Sequence, residues 1–227
     1  MSRYMIKFSK EGAIRYISHL DLLRLFKRSF KRVGIKLQYS QGFNPHPKMS
    51  FAQPLSLGYT SIGEYLEFET ADSYPPHEIL EKINSVMPEG IEVLTCSELT
   101  GNGKTLAALT EYADYEIIIP GQAPLAENWN DRIKKYMEQD QILVQKHQKK
   151  SGKEIEINIK PMISELDVMV DNNNITITSK LAAGSTANLS PEILIESFCD
   201  FVGLSYDRSE ISVKRKEIYF HNSDRHF

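Results

Sequence analysis

The residues of this sequence with the most evident chemistry lie in its first 48 positions. This stretch holds eleven of the 27 Lys and Arg residues but only two of the 30 Asp and Glu residues, which gives it a formal charge of +9. The remaining residues carry −12 and hide the basic segment within a net charge of −3. The asymmetry predicts a polyanion or an acidic partner for the first segment, although solvated helix faces also produce it.

Five cations in this stretch recur at three- and four-residue steps. These cations are Arg24, Lys27, Arg28, Lys31 and Arg32. They share one side of a helix, opposite a stripe of Leu and Phe residues that is expected to be core. Ser18 is the expected N-cap, Asp21 occupies the third helical position, and Gly34 ends the run. No acidic partner on the helix is expected for these cations. Since solvated helices usually mix signs, the pattern favours an anion-binding face over simple solubility.

A second group of candidates lies in the loop at 39–48. Two prolines hold His46 in a stiff, extended segment, and Gly42 permits a backbone geometry or a close approach that a side chain would prevent. His46 and Lys48 together favour a functional role, because loops often carry binding residues. His46 could also act as a general acid or base near neutral pH, although the sequence identifies no nucleophile for it.

Two aromatic residues and two further basic residues extend these candidates. Tyr39 or Phe43 could offer a ring to a stacked base, but Phe43 taken alone is expected to anchor the loop to the core. His19 falls in the first helical turn, where the positive helix end would favour an anion, and Arg15 could join the same site. A plain surface position explains His19 equally, and it is a weaker candidate for acid–base catalysis.

The order of apolar patterns predicts β-α-β-β-α-β twice. The first half should have strands and helices at 4–8, 18–33, 35–41, 63–70, 77–87 and 91–96, with a Gly- and Pro-rich loop at 42–60. The second half should have them at 115–120, 125–137, 142–149, 154–160, 166–180, 191–202 and 211–220, which includes an extra strand or hairpin. We therefore predict an α+β protein of two tandem ferredoxin-like domains with antiparallel sheets, at 1–98 and 113–227, joined by a linker at 99–112.

Several classes of protein are disfavoured. Cys96 and Cys199 form no C-x-x-C motif, so neither a disulfide framework nor a thiolate metal site is expected, and no metal or cofactor is predicted. Apolar runs fall far short of the ~20 residues that span a bilayer. The expectation is a cytoplasmic protein without a membrane partner.

Three segments of the first half carry a specific resemblance. They are Tyr16-Ile17-Ser18-His19-Leu20-Asp21, Ser40-Gln41-Gly42-Phe43-Asn44-Pro45-His46-Pro47 and Pro54-Leu55-Ser56-Leu57-Gly58. With them the chain resembles the radical-SAM-linked proteins, a bacterial family of unknown function whose members occur fused to, or encoded beside, radical SAM proteins. The resemblance implies an accessory role. The chain has no Cys triad to ligate an iron–sulfur cluster, so the radical chemistry would belong to the partner.

These observations together predict a non-catalytic module that presents tRNA or rRNA to a separate radical SAM enzyme. The expected RNA- or anion-binding residues are Arg15, His19, Arg24, Arg28, Lys31, Gly42, Phe43, His46 and Lys48. Two alternatives stay open. One is a metal-independent ribonuclease or small-ligand transferase that uses a histidine, and the other is a docking module for the radical SAM partner. The oligomeric state is not predicted.

Overall fold

The computed structural model describes residues 2–100, 103–121, 128–147, 154–171 and 174–221. These residues form a mixed α+β fold with a large, mostly antiparallel sheet and few helices. The chain divides into two compact units. Unit 1 comprises Met1–Glu111 with Arg215–Phe227, and unit 2 comprises Tyr112–Lys214.

The helices and strands follow in chain order. The first part contains β1 (Ser2–Lys10), α1 (His19–Arg32), β2 (Met49–Phe51), β3 (Thr60–Thr70), α2 (Pro76–Asn84), β4 (Ile91–Glu98) and the short α3 (Leu106–Leu109). The second part contains β5 (Thr110–Ile119), α4 (Trp129–Glu138), β6 (Leu143–His147), β7 (Glu154–Asn158), β8 (Ile163–Asp171), β9 (Asn174–Ala182), α5 (Pro191–Val202) and β10 (Ser212–Phe220).

Unit 1 is built on strands in the order β4-β1-β3-β10, of which β10 contributes its residues from Arg215 onward. Alternate side chains of β1 are fully buried, as the period-2 pattern predicts. They meet aromatic residues of α1, and the Phe8 and Phe26 rings contact edge to face with centroids 4.9 Å apart. Because α2 adds Ile79 and Ile83 to the same core, both long helices of the unit are fixed against this sheet.

The expected strand at 35–41 is absent. These residues make only isolated bridges, Leu37 with Thr70 and Tyr39 with Pro47. The regular pairing comes instead from β2, inside the expected loop 42–60, which runs antiparallel to β3. The physical reason is that both segments compete for the same edge of β3. The backbone of residues 36–38 hydrogen-bonds to residues 69–71, while residues 48–52 hydrogen-bond to residues 65–69. Each segment therefore forms only a short ladder.

Gly63 lies inside β3 because another backbone passes close to it. A Cβ atom built at this position would lie 2.8 Å from Cα of Glu217 and 2.9 Å from the carbonyl carbon of Lys216, both in β10. Real Cβ atoms essentially never approach other atoms so closely. A glycine in the interior of a strand often marks such a close approach, and here it lets β10 lie against β3.

Unit 2 contains three neighbouring antiparallel strands in the order β5-β9-β8. The expected strand segments at 142–149 and 154–160 contain β6 and β7, which pair with each other as a separate two-stranded sheet. Helix α5 has the predicted bounds. Between the two predicted halves the structure has α3 and the start of β5, where the sequence pattern indicates little periodic order. In the described part of the chain, no helix has the length and apolarity to cross a membrane.

Candidate nucleic-acid interface

Helix α1 begins where its N-cap predicts. The Ser18 hydroxyl oxygen accepts a hydrogen bond from the Asp21 backbone N–H at 3.1 Å, which satisfies one of the free donors of the first turn. Leu22, Phe26 and Phe30 are buried against the sheet. All five cations of the predicted stripe are exposed on the other side. The predicted basic face is therefore confirmed as an exposed surface.

The expectation that these cations lack an acidic partner on the helix is wrong for one of them. The Arg24 guanidinium lies 2.8 Å from the Asp21 carboxylate, one turn before it. Ser18 and Arg24 together hold the pKa of Asp21 below its usual value, so this carboxylate stays charged. The other four cations, Lys27, Arg28, Lys31 and Arg32, have no carboxylate oxygen within 4 Å among the residues that the structure describes.

The loop at 39–48 closes on itself through polar contacts. The Ser40 backbone N–H donates to the His46 carbonyl at 2.9 Å, and the Ser40 hydroxyl lies 3.0 Å from His46 Nδ1. The same hydroxyl accepts from the His46 backbone N–H at 3.1 Å, so this pair closes the loop and does not single out a nucleophile. Gly42 adopts a φ of +124°, which favours glycine at this position.

Phe43 does not anchor the loop to the core, contrary to the expectation for this residue. Its side chain at the tip of the loop is as exposed as that of a free residue, with a relative exposure of 112%. The loop can leave Phe43 in solvent because Ser40 and His46 already close its base. A fully exposed phenylalanine is available to contact a partner.

Lys48, Arg15 and His19 lie in less favourable surroundings for binding phosphate. The Lys48 ammonium pairs with Glu69 at 2.7 Å, and the Arg15 guanidinium lies 4.8 Å from the centre of the Tyr16 ring. His19 contacts the Phe51 ring edge to face. Burial lowers the pKa of His19 below its ordinary value of 6.5, against an opposing attraction from Glu64. Because a lower pKa disfavours the imidazolium, His19 is a weak phosphate ligand at neutral pH.

Two hollows flank Lys27 on the exposed side of α1. The smaller, of about 250 Å³, lies between α1 and residues 46–49 and is lined mainly by Leu20, Leu23, Arg24, Lys27, His46 and Met49. The larger, of about 680 Å³, is lined mainly by Lys27, Lys31, Ile35, Lys36, Leu37 and Tyr39. The fold thus brings His46 to Arg24 and Tyr39 to Lys31, which sequence spacing alone could not predict.

Leu20 and Lys10 are two residues whose surroundings the sequence pattern misjudges. Leu20 follows the period of the apolar stripe but is 61% exposed, so it belongs to the smaller hollow and not to the core. Lys10 counts toward the basic segment but is buried, with Nζ donating to the Arg15 carbonyl at 3.1 Å. Burial lowers the pKa of the Lys10 ammonium, while the charge of Glu64 opposes this shift.

The described residues show no metal centre. Nowhere in those ranges do three or more His, Cys, Asp or Glu side chains gather as metal ligands. Cys96 and Cys199 are both free thiols, and burial raises the pKa of each to about 12. Neither cysteine is therefore poised as a thiolate nucleophile near neutral pH.

Comparison with known proteins places the chain in a family. Residues 3–191 match the model described as an uncharacterized protein conserved in bacteria (DUF2344), and the chain belongs to that family. The curated proteins contain no match to it.

One solved structure with a similar fold shares little sequence with this chain. A chain of a Cbf5-Nop10-Gar1 complex aligns with a TM-score of 0.53 at 10% identity, covering 97% of this chain and 50% of that chain. This chain therefore spans about half the length of that relative, and the likeness shows the fold alone. An unknown protein from Galdieria sulphuraria aligns at 10% identity over 94% of this chain and 98% of its own, but its TM-score of 0.27 is too low to inform the fold.

Proposed function

We propose that this chain binds RNA through the exposed face of α1 and the loop at 39–48. The observation that carries the proposal is the row of four α1 cations that have no carboxylate oxygen within 4 Å among the described residues. Phosphate contacts supply most of the affinity in non-specific nucleic-acid binding, and unpaired surface cations are the groups that make them. Tyr39 adds an exposed ring beside the same surface, and Phe43 adds a second exposed ring on the loop at 39–48.

The resemblance to radical-SAM-linked proteins supplies the rest of the proposed role. The module would present tRNA or rRNA to a separate radical SAM enzyme in the bacterial cytoplasm. Its two cysteines, of which only Cys199 is fully buried, are too few to hold an iron–sulfur cluster, which usually takes four thiolates. We also propose that both units are variants of the ferredoxin-like fold. The β4-β1-β3 order and the shared core of α1 and α2 support this for unit 1.

A charge-reversal pair tests the RNA-binding surface. The variant Lys27→Glu/Lys31→Glu changes two exposed cations one turn apart on α1. The control Lys134→Glu/Lys135→Glu makes the same change of net charge on the exposed side of α4 in unit 2. Binding of cellular tRNA and rRNA is measured by filter retention for both variants and the wild type, at two salt concentrations.

The wild type should lose affinity steeply as salt rises, because bound phosphates release counterions. The α1 variant should bind much more weakly, and its slope of log K against log salt should fall by about 1.4 for two lost contacts to single-stranded RNA. The α4 control should keep the affinity and slope of the wild type. Equal, negligible binding by all three proteins would refute the proposal.

Docking to an acidic protein is the competing use of this surface. It predicts that a protein copurifies with the tagged chain from its native cell and stays bound after nuclease treatment. Loss of the copurifying material on nuclease treatment favours RNA. The radical SAM role further requires that the retained protein, where there is one, be a radical SAM enzyme.

A further inference from the structure

The smaller hollow beside α1 combines an apolar floor with a basic rim. Its floor includes Leu20, Leu23 and Met49, and its rim is made by Arg24 and Lys27 with His46 nearby. A water molecule can form few hydrogen bonds with such a floor, since the floor offers almost no polar group. A ligand that fits must therefore present an apolar, flat or compact part next to an anion.

Duplex RNA does not have that shape. Its bases are paired and stacked inside the helix, and a protein that touches it meets mostly phosphates and 2′-hydroxyl groups. A single strand can place one base away from its neighbours while its phosphate stays at the rim. Leu20 and Lys27 line the same hollow, so a base on the apolar floor and its phosphate at the Lys27 ammonium can be bound together.

The larger hollow continues this arrangement along the helix. Lys27 borders both hollows, and its Nζ lies 5.9 Å from the centre of the Tyr39 ring. Tyr39 is 41% exposed, which leaves part of its ring free to stack on a base. Lys31 and Lys36 border the same hollow, although Lys36 also pairs with Asp72 at 3.3 Å. Two apolar surfaces thus alternate with cations along one side of α1.

From these features we infer that the surface binds single-stranded RNA, with an unpaired base on the Leu20 floor and the adjacent nucleotide against Tyr39. This inference rests on the proposed RNA-binding function and specifies its substrate class. The strand runs along α1, its phosphates contact Lys27 and Lys31, and its first bound base lies between the helix and the His46 segment.

The test measures two effects separately: the preference for a single strand over a duplex, and the contribution of the apolar floor to binding. Fluorescence anisotropy is measured with a labelled single strand of about 12 nucleotides, which spans one typical binding site, and with the same strand annealed to its complement. The variant Leu20→Gln makes one of the three floor side chains polar without changing charge. The control Leu57→Gln makes the same change at a leucine of equal exposure, 64% against 61%, that does not line the hollow.

The single strand should bind the wild type about tenfold more tightly than the duplex. Leu20→Gln should weaken single-strand binding about fivefold and leave duplex binding unchanged, while Leu57→Gln should match the wild type on both. Because both leucines are exposed, both variants should keep the wild-type melting curve in circular dichroism.

Two results would overturn the inference. One is duplex binding as tight as single-strand binding, and the other is equal weakening by the two glutamine variants. If the Lys27/Lys31 reversal still abolishes binding in those cases, the RNA-binding function stands and only the substrate class fails. If the wild type binds no RNA in either form, both fail. Preferential binding of an acidic peptide over both RNA forms would assign the hollows to a protein partner.

Discussion

The substitution Glu64→Gln should destabilise unit 1 more than any single change on its surface. Glu64 and Arg215 are each buried to 3% side-chain exposure, and Arg215 Nη1 donates to the two Glu64 oxygens at 3.0 and 3.1 Å. Arg215 Nη2 also donates to the Pro54 carbonyl at 3.1 Å. The contact fastens the last strand to the middle of β3.

The expected magnitude follows from this burial. Glutamine keeps the shape of glutamate, so no cavity opens, but it leaves the buried Arg215 and Lys10 cations facing an uncharged amide. Removing one member of a buried ion pair costs about 3–5 kcal/mol, because the remaining charge stays out of water. The cost is a large part of the 5–15 kcal/mol that typically stabilises a domain.

Urea denaturation monitored by circular dichroism measures this cost. The matched control is Asp72→Asn, which removes the same charge from the exposed Lys36–Asp72 pair and should cost less than about 1 kcal/mol. An equal loss of unfolding free energy in Glu64→Gln and Asp72→Asn would refute a large contribution from the buried pair. That outcome would mean that water reaches the buried pair.

Three further predictions concern packing and titration. Gly63→Ala should lower the free energy of unfolding by about 1–3 kcal/mol, since its Cβ would strike the backbone of β10, and an unchanged urea midpoint would contradict this. The His19 ring should titrate below pH 6.5 in an NMR series, which a higher value would refute. Because the folded state then binds this proton less tightly than the unfolded state, the His19 contribution to stability is present above pH 6.5 and is lost as pH falls through its folded pKa. Cys96 and Cys199 should react with a thiol reagent at pH 8 only after urea unfolds the chain, since burial raises the pKa of each to about 12, and fast labelling of the folded protein would disprove this.

Features set by neighbouring residues could be predicted from the sequence. Helix α1 has its cap, its apolar period and its stop within seventeen residues, from Ser18 to Gly34, and the structure has a helix at His19–Arg32. Helix α5 likewise has the predicted bounds because a proline follows its cap and Gly203 ends it in a left-handed conformation.

Features set by distant residues could not be predicted. The segment 35–41 has a strand-like composition, yet β2 holds the regular ladder on β3. Leu20 has the helical period of a core residue, but the sheet does not cover the first turn of α1 at this position. Phe43 is exposed because polar atoms six residues apart close its loop. Each outcome depends on which surface another part of the chain already occupies.

The structure also changes what the charge of the first 48 residues means. Five of its eleven cations form ion pairs, namely Arg3, Lys7, Arg24, Lys36 and Lys48. A sixth, Lys10, is buried near Glu64. These six therefore do not give the surface a free positive field. The uncompensated positive charge of this segment therefore lies mainly on Lys27, Arg28, Lys31 and Arg32.

Helix stability alone does not account for these four cations. A positive charge in the last turn of a helix gains about 0.3–1 kcal/mol from the helix dipole, which explains Lys31 and Arg32. Lys27 and Arg28 lie a turn earlier, where that gain has faded and the like charges at three- and four-residue spacing repel. A helix under selection for stability alone would place an acid among them. The cost is consistent with a surface kept basic for a bound anion, and it concentrates the expected phosphate contacts on Lys27 and Lys31 rather than on Arg24 or Lys48.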